Sequence, residues 1–185
     1  MTDVPETHYT RSADGTALAY HVSGNGQYPL VFLSGGSIPI DLLREEPGFV
    51  RLSKRLGAFS RTVWFEPRGT GPSEGNLRDA WVGEASDADL NAVLDSVGFE
   101  QPALVGWGSD RLAAMRFSVT HRDQVRALIL LNSFAHYVRE DDYPCGIPPA
   151  SLDRLMTALI DTWGTGATLK GVPGSWPIFG VVASR

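Results

Sequence analysis

Four short runs of this chain are apolar nearly end to end, and turn residues bound each of them. They are Pro29-Leu30-Val31-Phe32-Leu33, Thr62-Val63-Trp64-Phe65, Pro102-Ala103-Leu104-Val105 and Val125 to Leu131. None shows the polar–apolar alternation of a half-exposed strand, so each reads as a strand buried on both faces of a sheet. Stretches of helical spacing lie between them. Phe49, Val50, Leu52, Leu56 and Phe59 predict a helix over 48–58. Leu90, Val93, Leu94 and Val97 stripe a second helix, which Ser86 or Asp87 would cap and Gly98 would end. Residues 111–121 form a third. Strands alternating with helices predict an α/β fold, a mostly parallel sheet flanked by helices with right-handed crossovers. Ahead of this rhythm, Asp14-Gly15 between Tyr9–Ser12 and Thr16–Ser23 reads as a β-hairpin.

The rhythm stops after Leu131. Asn132 to Pro149 reads as a long loop, and Ser151 to Trp163 as one amphipathic helix with Leu152, Leu155, Met156 and Leu159 on one side. From Gly164 onward the chain is rich in Gly and Pro. There is no internal repeat or low-complexity tract. A chain of 185 residues is enough for one compact domain. The expected division is a domain over 1–170 and a divergent tail over 171–185.

Charge narrows the function. Sixteen Lys and Arg against 21 Asp and Glu give a net charge of -5, the wrong sign for a nucleic-acid surface. The one basic cluster, Arg51-Leu52-Ser53-Lys54-Arg55, fits a solvated helix face. Cys145 is the single cysteine, so no intrachain disulfide forms. Met1 to His8 has no apolar core of a signal peptide, and no run is long enough to span a bilayer. A cytoplasmic protein away from membranes is the expectation.

The segment that bears on chemistry is Gly106-Trp107-Gly108-Ser109-Asp110, between the strand at 102–105 and the helix at 111–121. A tight strand-to-helix turn can expose a nucleophile and aim the next backbone N–H at an oxyanion. Here glycine stands at the centre, so no confident catalytic residue is assigned. Ser109 is the fallback nucleophile of a weak carboxylic-ester hydrolase, but its flanking residues in that register, Trp107 and Arg111, are too large for the turn. It would otherwise cap or solvate the helix start. Gly106-x-Gly108-x-x-Arg111 also resembles a damaged dinucleotide fingerprint, but it comes several units too late and has arginine for its third glycine. Ser34-Gly35-Gly36 is a second candidate oxyanion turn, and Trp107 is a candidate pocket residue. Arg68-Gly69-Thr70-Gly71-Pro72-Ser73 has turn chemistry, with Arg68, Gly69 and Gly71 read as structural. His8, His21, His121 and His136 form no triad with the acids, and Asp141 and Asp142 read as solvated. There is no metal-ligand spacing, and no cofactor is expected.

Together these segments resemble the α/β-hydrolase fold family. Pro29–Gly36 is similar to the strand and turn of the first oxyanion donor. Phe65 to Ser73 resembles the family's D-x-R-G-x-G-x-S loop, with Glu66 in the aspartate slot. Leu104–Ala113 resembles the elbow, and Thr120–Leu130 the step into the next strand. Within the family the chain is most similar to the hydrolase-like domain fused to adenylate cyclases in mycobacteria and related actinobacteria. That likeness rests on Arg68-Gly69-Thr70-Gly71, Asn132-Ser133-Phe134-Ala135, Asp142-Tyr143-Pro144-Cys145-Gly146, Pro148-Pro149 and Asp161-Thr162-Trp163-Gly164-Thr165-Gly166.

The resemblance implies two departures. The usual elbow, G-x-S-x-G-G, survives only in its first glycine. The later strands of the family, with their acid and histidine, are expected to be missing, which describes a truncated, non-catalytic member. A retained pocket between the Gly35 loop, the elbow and helix 151–163 would bind an apolar or acyl-type small molecule. The strand at 125–131 would then be an exposed sheet edge, open to a partner or to homo-oligomerisation, or covered by the strand-like Trp176–Val182.

Overall fold

In this computed structural model the described residues are 6–33, 39–76, 79–80 and 83–162. The chain forms two compact units, Met1–Ser133 and Phe134–Arg185. The expected boundary near residue 170 lies outside the described residues.

The first unit is built on a six-stranded sheet. Strands β1 (Thr7–Arg11) and β2 (Ala17–Ser23) form the expected antiparallel hairpin, turning at Gly15, whose φ of +90° suits glycine. Strands β3 (Tyr28–Leu33), β4 (Ser60–Phe65), β5 (Ala103–Trp107) and β6 (Ala127–Leu131) are the four apolar runs. The strand order is β1-β2-β4-β3-β5-β6. The last four are mutually parallel, and β2 runs antiparallel to β4. Leu33 pairs with both Phe65 and Gly106, which aligns the carboxyl ends of β3, β4 and β5. The core packs Leu18, Val31, Val63 and Leu104 against Leu90, Val93 and Phe117 of the helices.

The helices follow from local signals. α1 (Ile40–Leu43) is a single turn that carries no readable period; it forms because Ile40 and Leu43 are both buried. In α2 (Pro47–Gly57) Pro47 occupies the first turn, where its missing N–H is not needed, and Glu46 Oε2 accepts from Phe49 N at 2.7 Å. α3 (Glu84–Val97) starts two residues before Ser86. Its N-cap is Gly83, not Ser86 or Asp87. The Asp87 carboxylate is used elsewhere: Oδ2 lies 3.2 Å from Arg116 Nη2 on α4 (Arg111–Thr120). Gly98 closes α3 in the left-handed conformation, as expected.

β6 differs from the other parallel strands. All five of its residues are exposed, Leu128 to Leu131 by 37–42%. Among the described residues it pairs only with β5.

The second unit is not a plain loop followed by a helix. Val138 and Ile147 form a parallel bridge, and Glu140 and Tyr143 an antiparallel one. Ala135 N donates to the Tyr143 hydroxyl at 3.3 Å. α5 (Pro149–Thr162) begins two residues earlier than the apolar stripe indicated, because Pro149 is tolerated in a first turn. Trp163 and the strand-like Trp176–Val182 lie outside the described residues.

Candidate active site at the carboxyl edge of the sheet

The chain leaves β3 to one side, toward β4, and leaves β5 to the other, toward β6. In parallel α/β sheets the crevice at such a switch is where ligands bind. The residues at the carboxyl ends of β3 and β5 are therefore the place to look. The turn at 34–38 lies outside the described residues, so the candidates Ser34, Gly35 and Gly36 are not placed.

The β5 turn is placed. Residues Gly108–Asp110 form one 3-10 turn that leads directly into α4. Gly106 is there for space: a Cβ on it would meet Arg111 Cα at 2.8 Å and Ala114 Cβ at 2.9 Å. Gly108 is there for conformation. Its φ is +60°, and a Cβ built on it meets nothing within 4 Å among the described residues. The turn thus holds its central residue in the left-handed region, with open room where a side chain would stand. Glycine leaves that room without a nucleophile.

The position where a hydrolase elbow has its last glycine carries Asp110, and Arg111 follows. Asp110 is fully buried and Arg111 is 1% exposed. Arg111, expected to be too large for this turn, folds back so that Nη1 donates to Gly108 O at 2.7 Å. Asp110 occupies the N-cap position of α4 without a side-chain cap bond. Ser109 lies between Gly108 and Asp110 in the turn, and its side chain is outside the described residues. Trp107 is half-buried, and its ring meets Phe32 edge-on at 6.1 Å.

A second buried acid stands at the same edge. Glu66 directly follows β4 and is 2% exposed. Its Oε1 accepts from Ile40 N, the first residue of α1, at 2.5 Å. Among the described residues its Oε2 has no hydrogen-bond partner, and it presses on Gly71, where a Cβ would fall 1.5 Å from it. Burial, more than any neighbouring charge, pushes this carboxyl above its ordinary value. Sequence placed Glu66 in the loop but gave no sign of its burial.

Arg68, in the loop after β4, is held by α3 and the hairpin turn. Its Nε and Nη2 grip Asp89 of α3 at 2.7 and 2.6 Å, and Nη1 reaches Asp14 in the hairpin turn at 2.9 Å. Gly69 and Gly71 take positive φ in the same loop, at +72° and +48°. Asp89 was missed as a partner. Its signal is positional: it lies four residues before Val93, on the inward stripe of α3.

The histidines of this unit stand apart from the elbow. His121 follows α4, with its ring stacked on Phe117, about 15 Å from the helix start at 1.5 Å per residue. His21 is on β2, three strands from β5, about 14 Å at the usual strand spacing. His8 is one strand farther out. His136, Asp141 and Asp142 belong to the second unit; His136 Nδ1 lies 4.0 Å from Glu140 Oε1, and both aspartates are exposed. The expected pocket wall over 151–163 also belongs to that unit. Among the described residues no three His, Cys, Asp or Glu side chains group to hold a metal, and no helix is long and apolar enough to cross a membrane.

Comparison with known proteins agrees with this geometry. No family model matches the chain. Over 77 residues, 40% of the chain, it is 34% identical to a pimeloyl-[acyl-carrier protein] methyl ester esterase of Neisseria meningitidis serogroup A; the match spans 25% of that protein. The chain also superposes on an esterase from Exiguobacterium antarcticum with a TM-score of 0.68 and 21% identity, covering 90% of this chain and 59% of that one. An alpha/beta hydrolase from Novosphingobium aromaticivorans gives a TM-score of 0.61 and 23% identity, covering 84% and 50%. The chain thus spans a quarter of the curated relative and between half and three-fifths of these structures. Sheet order, elbow turn and superposition agree: this chain has the α/β-hydrolase fold.

Proposed function

We propose that this protein binds an apolar or acyl-type small molecule at the carboxyl edge of β3 and β5 and does not turn it over. One observation carries the reading: Gly108 holds the left-handed conformation of an elbow residue, with φ +60° and open space beyond its Cα, but has no side chain to attack with. The distances of His8, His21 and His121 from the turn support it, since a serine needs a base within hydrogen-bond reach. Half-buried Trp107 offers an apolar wall, and the methyl ester esterase likeness favours an acyl ligand. Removing nucleophile and base from such a site leaves only oxyanion and binding effects.

The test is hydrolysis of short p-nitrophenyl esters by the wild type and by Ser109→Ala, with tryptophan fluorescence read during titration with short-chain acyl esters. The expected result is no turnover above buffer in either protein and saturable quenching in both. Turnover that vanishes in Ser109→Ala would establish a weak ester hydrolase using Ser109 and overturn the proposal.

The narrower likeness to the hydrolase-like domain fused to adenylate cyclases belongs to this proposal too. It rests on Arg68–Gly71, Asn132–Ala135, Asp142–Gly146, Pro148-Pro149 and Asp161–Gly166. It implies that the domain acts by binding, with its output in another domain or partner.

A further inference from the structure

Glu66 has the features of a proton-controlled latch. It is 98% buried by its 2% exposure, and its two oxygens have opposite fates. Oε1 holds Ile40 N, which ties α1 to the end of β4. Oε2 has no hydrogen-bond partner among the described residues, and Gly71 is packed so close that a single added carbon would overlap it. A neutral carboxyl tolerates that environment. An ionised one leaves negative charge on a buried oxygen with no donor among the described residues, a state proteins avoid by keeping the proton or by opening to solvent.

The surrounding charges do not relieve the problem. On α1, Asp41 adds repulsion and Arg44 attraction, each a smaller influence than burial. On β2, His21 lies with Nε2 3.7 Å from Asp41 Oδ1, while Asp41 itself is mostly exposed. In the loop after Glu66, Arg68 is committed to Asp89 and Asp14, and Glu74 Oε2 accepts from Ala17 N. Glu46, at the start of α2, holds Phe49 N.

We infer that ionisation of Glu66 releases α1 from the end of β4, so that pH sets how firmly Ile40–Leu43 is held there. The α1 turn is short, and its buried apolar side chains are Ile40 and Leu43. The linkage has a definite sign. The folded carboxyl keeps its proton above the ordinary value of 4.5, so the closed form binds more protons than the open one. Raising the pH from 4.5 toward the folded value therefore favours opening, by up to about tenfold per pH unit, and beyond that value the effect levels off. The consequence for ligand affinity rests on the binding reading above; the latch itself does not.

The test uses the intact protein without ligand, so it reads the latch whether or not the site binds anything. Hydrogen exchange of the segment 39–46 is followed by mass spectrometry between about pH 4.5 and 8 and corrected for intrinsic exchange. The wild type is expected to lose protection as pH rises, while Glu66→Gln, which keeps an acceptor for Ile40 N, stays protected throughout. His21→Gln is the control for a second buried titratable side chain near α1, and it should keep the wild-type dependence. If Glu66→Gln does not fold, carboxyl-carbon NMR of wild-type Glu66 decides, with a midpoint above 4.5 expected in step with the exchange. Flat wild-type protection, a dependence retained in Glu66→Gln or lost in His21→Gln, or a Glu66 midpoint at or below 4.5 would each overturn the inference.

Discussion

Arg111 Cα stands 2.8 Å from where a Cβ on Gly106 would lie, so α4 seats against β5 only because residue 106 has no side chain. Two residues on, the demand reverses. Gly108 has room for a side chain but a φ of +60°. The two glycines of one turn therefore answer different requirements, and substitution separates them. Gly106→Ala must push backbone aside and should cost about 1–3 kcal/mol or more, as overpacking of a tight core does. Gly108→Ala meets no atoms and pays only for the left-handed backbone, about 1–2 kcal/mol. Urea denaturation of both variants checks the order; equal costs would mean the close approach at Gly106 relaxes freely.

The same turn yields a second prediction. Gly108→Ser places a hydroxyl in open space at the elbow position, with His21 and His121 more than 10 Å away by strand spacing and helix rise. The variant should fold with a stability loss similar to that of Gly108→Ala. It should remain inactive on p-nitrophenyl esters, because an unassisted serine is a weak nucleophile at neutral pH. Multiple-turnover hydrolysis by Gly108→Ser would reveal a base that this geometry does not supply.

A third concerns the clamp between Arg68 and Asp89. Both are buried, at 5% and 2% exposure, and the contact is a two-pronged guanidinium–carboxylate pair. Arg68→Ala strands a buried carboxylate and should cost about 3–5 kcal/mol. The double variant Arg68→Ala/Asp89→Ala should cost clearly less than the sum of the two singles, because it leaves no uncompensated charge. Additive losses in chemical denaturation would show that the pair is not coupled.

How much of this was legible beforehand depends on range. The four apolar strands, the hairpin at Asp14-Gly15 and the helix end at Gly98 each carry their signal within a few residues and stand where the sequence placed them. But β6, read as buried on both faces, is exposed at all five residues because among the described residues it pairs only with β5. α1 was not visible, since a single turn anchored by Ile40 and Leu43 has no period to detect. The cap of α3 was misread because Asp87 has the right chemistry for a cap, and only its distant partner Arg116 explains why it serves elsewhere. Glu66 and Asp110 could be placed in motifs, but nothing local marks a carboxyl as buried. Their environments come from α1, Gly71 and the β5–α4 corner, which the chain brings together only on folding.

Acid should loosen the hairpin contact only below about pH 4. Asp14 accepts from Thr16 N at 3.0 Å and pairs with Arg68 at 2.9 Å. These contacts, the Thr16 hydrogen bonds above all, lower its carboxyl from 3.8 to about 2. A depressed folded value means the contribution is complete above 3.8 and is lost as pH falls through about 2. The stability difference between wild type and Asp14→Asn should be constant above about pH 4 and should close as the pH approaches 2. A difference that does not vary with pH would mean that Asp14 is not ionised in these contacts.

The last prediction concerns β6. Its outer edge has no strand partner among the described residues, and Leu128, Ile129, Leu130 and Leu131 are exposed by 37–42%. It carries none of the devices that protect an edge, for the five residues Ala-Leu-Ile-Leu-Leu include no lysine, proline or glycine. An antiparallel pairing of two copies centred on Ile129 would set Leu128 against Leu130 and satisfy the open N–H and C=O groups on both sides. We therefore expect the protein to self-associate with rising concentration and expect Ile129→Lys to shift it toward monomer. A lysine there destabilises a neighbouring copy far more than its own half-exposed site. Sedimentation velocity over a concentration series checks this. An unchanged distribution in Ile129→Lys would place any association elsewhere, and a wild type that stays monomeric at every concentration would mean that this edge is covered within the chain.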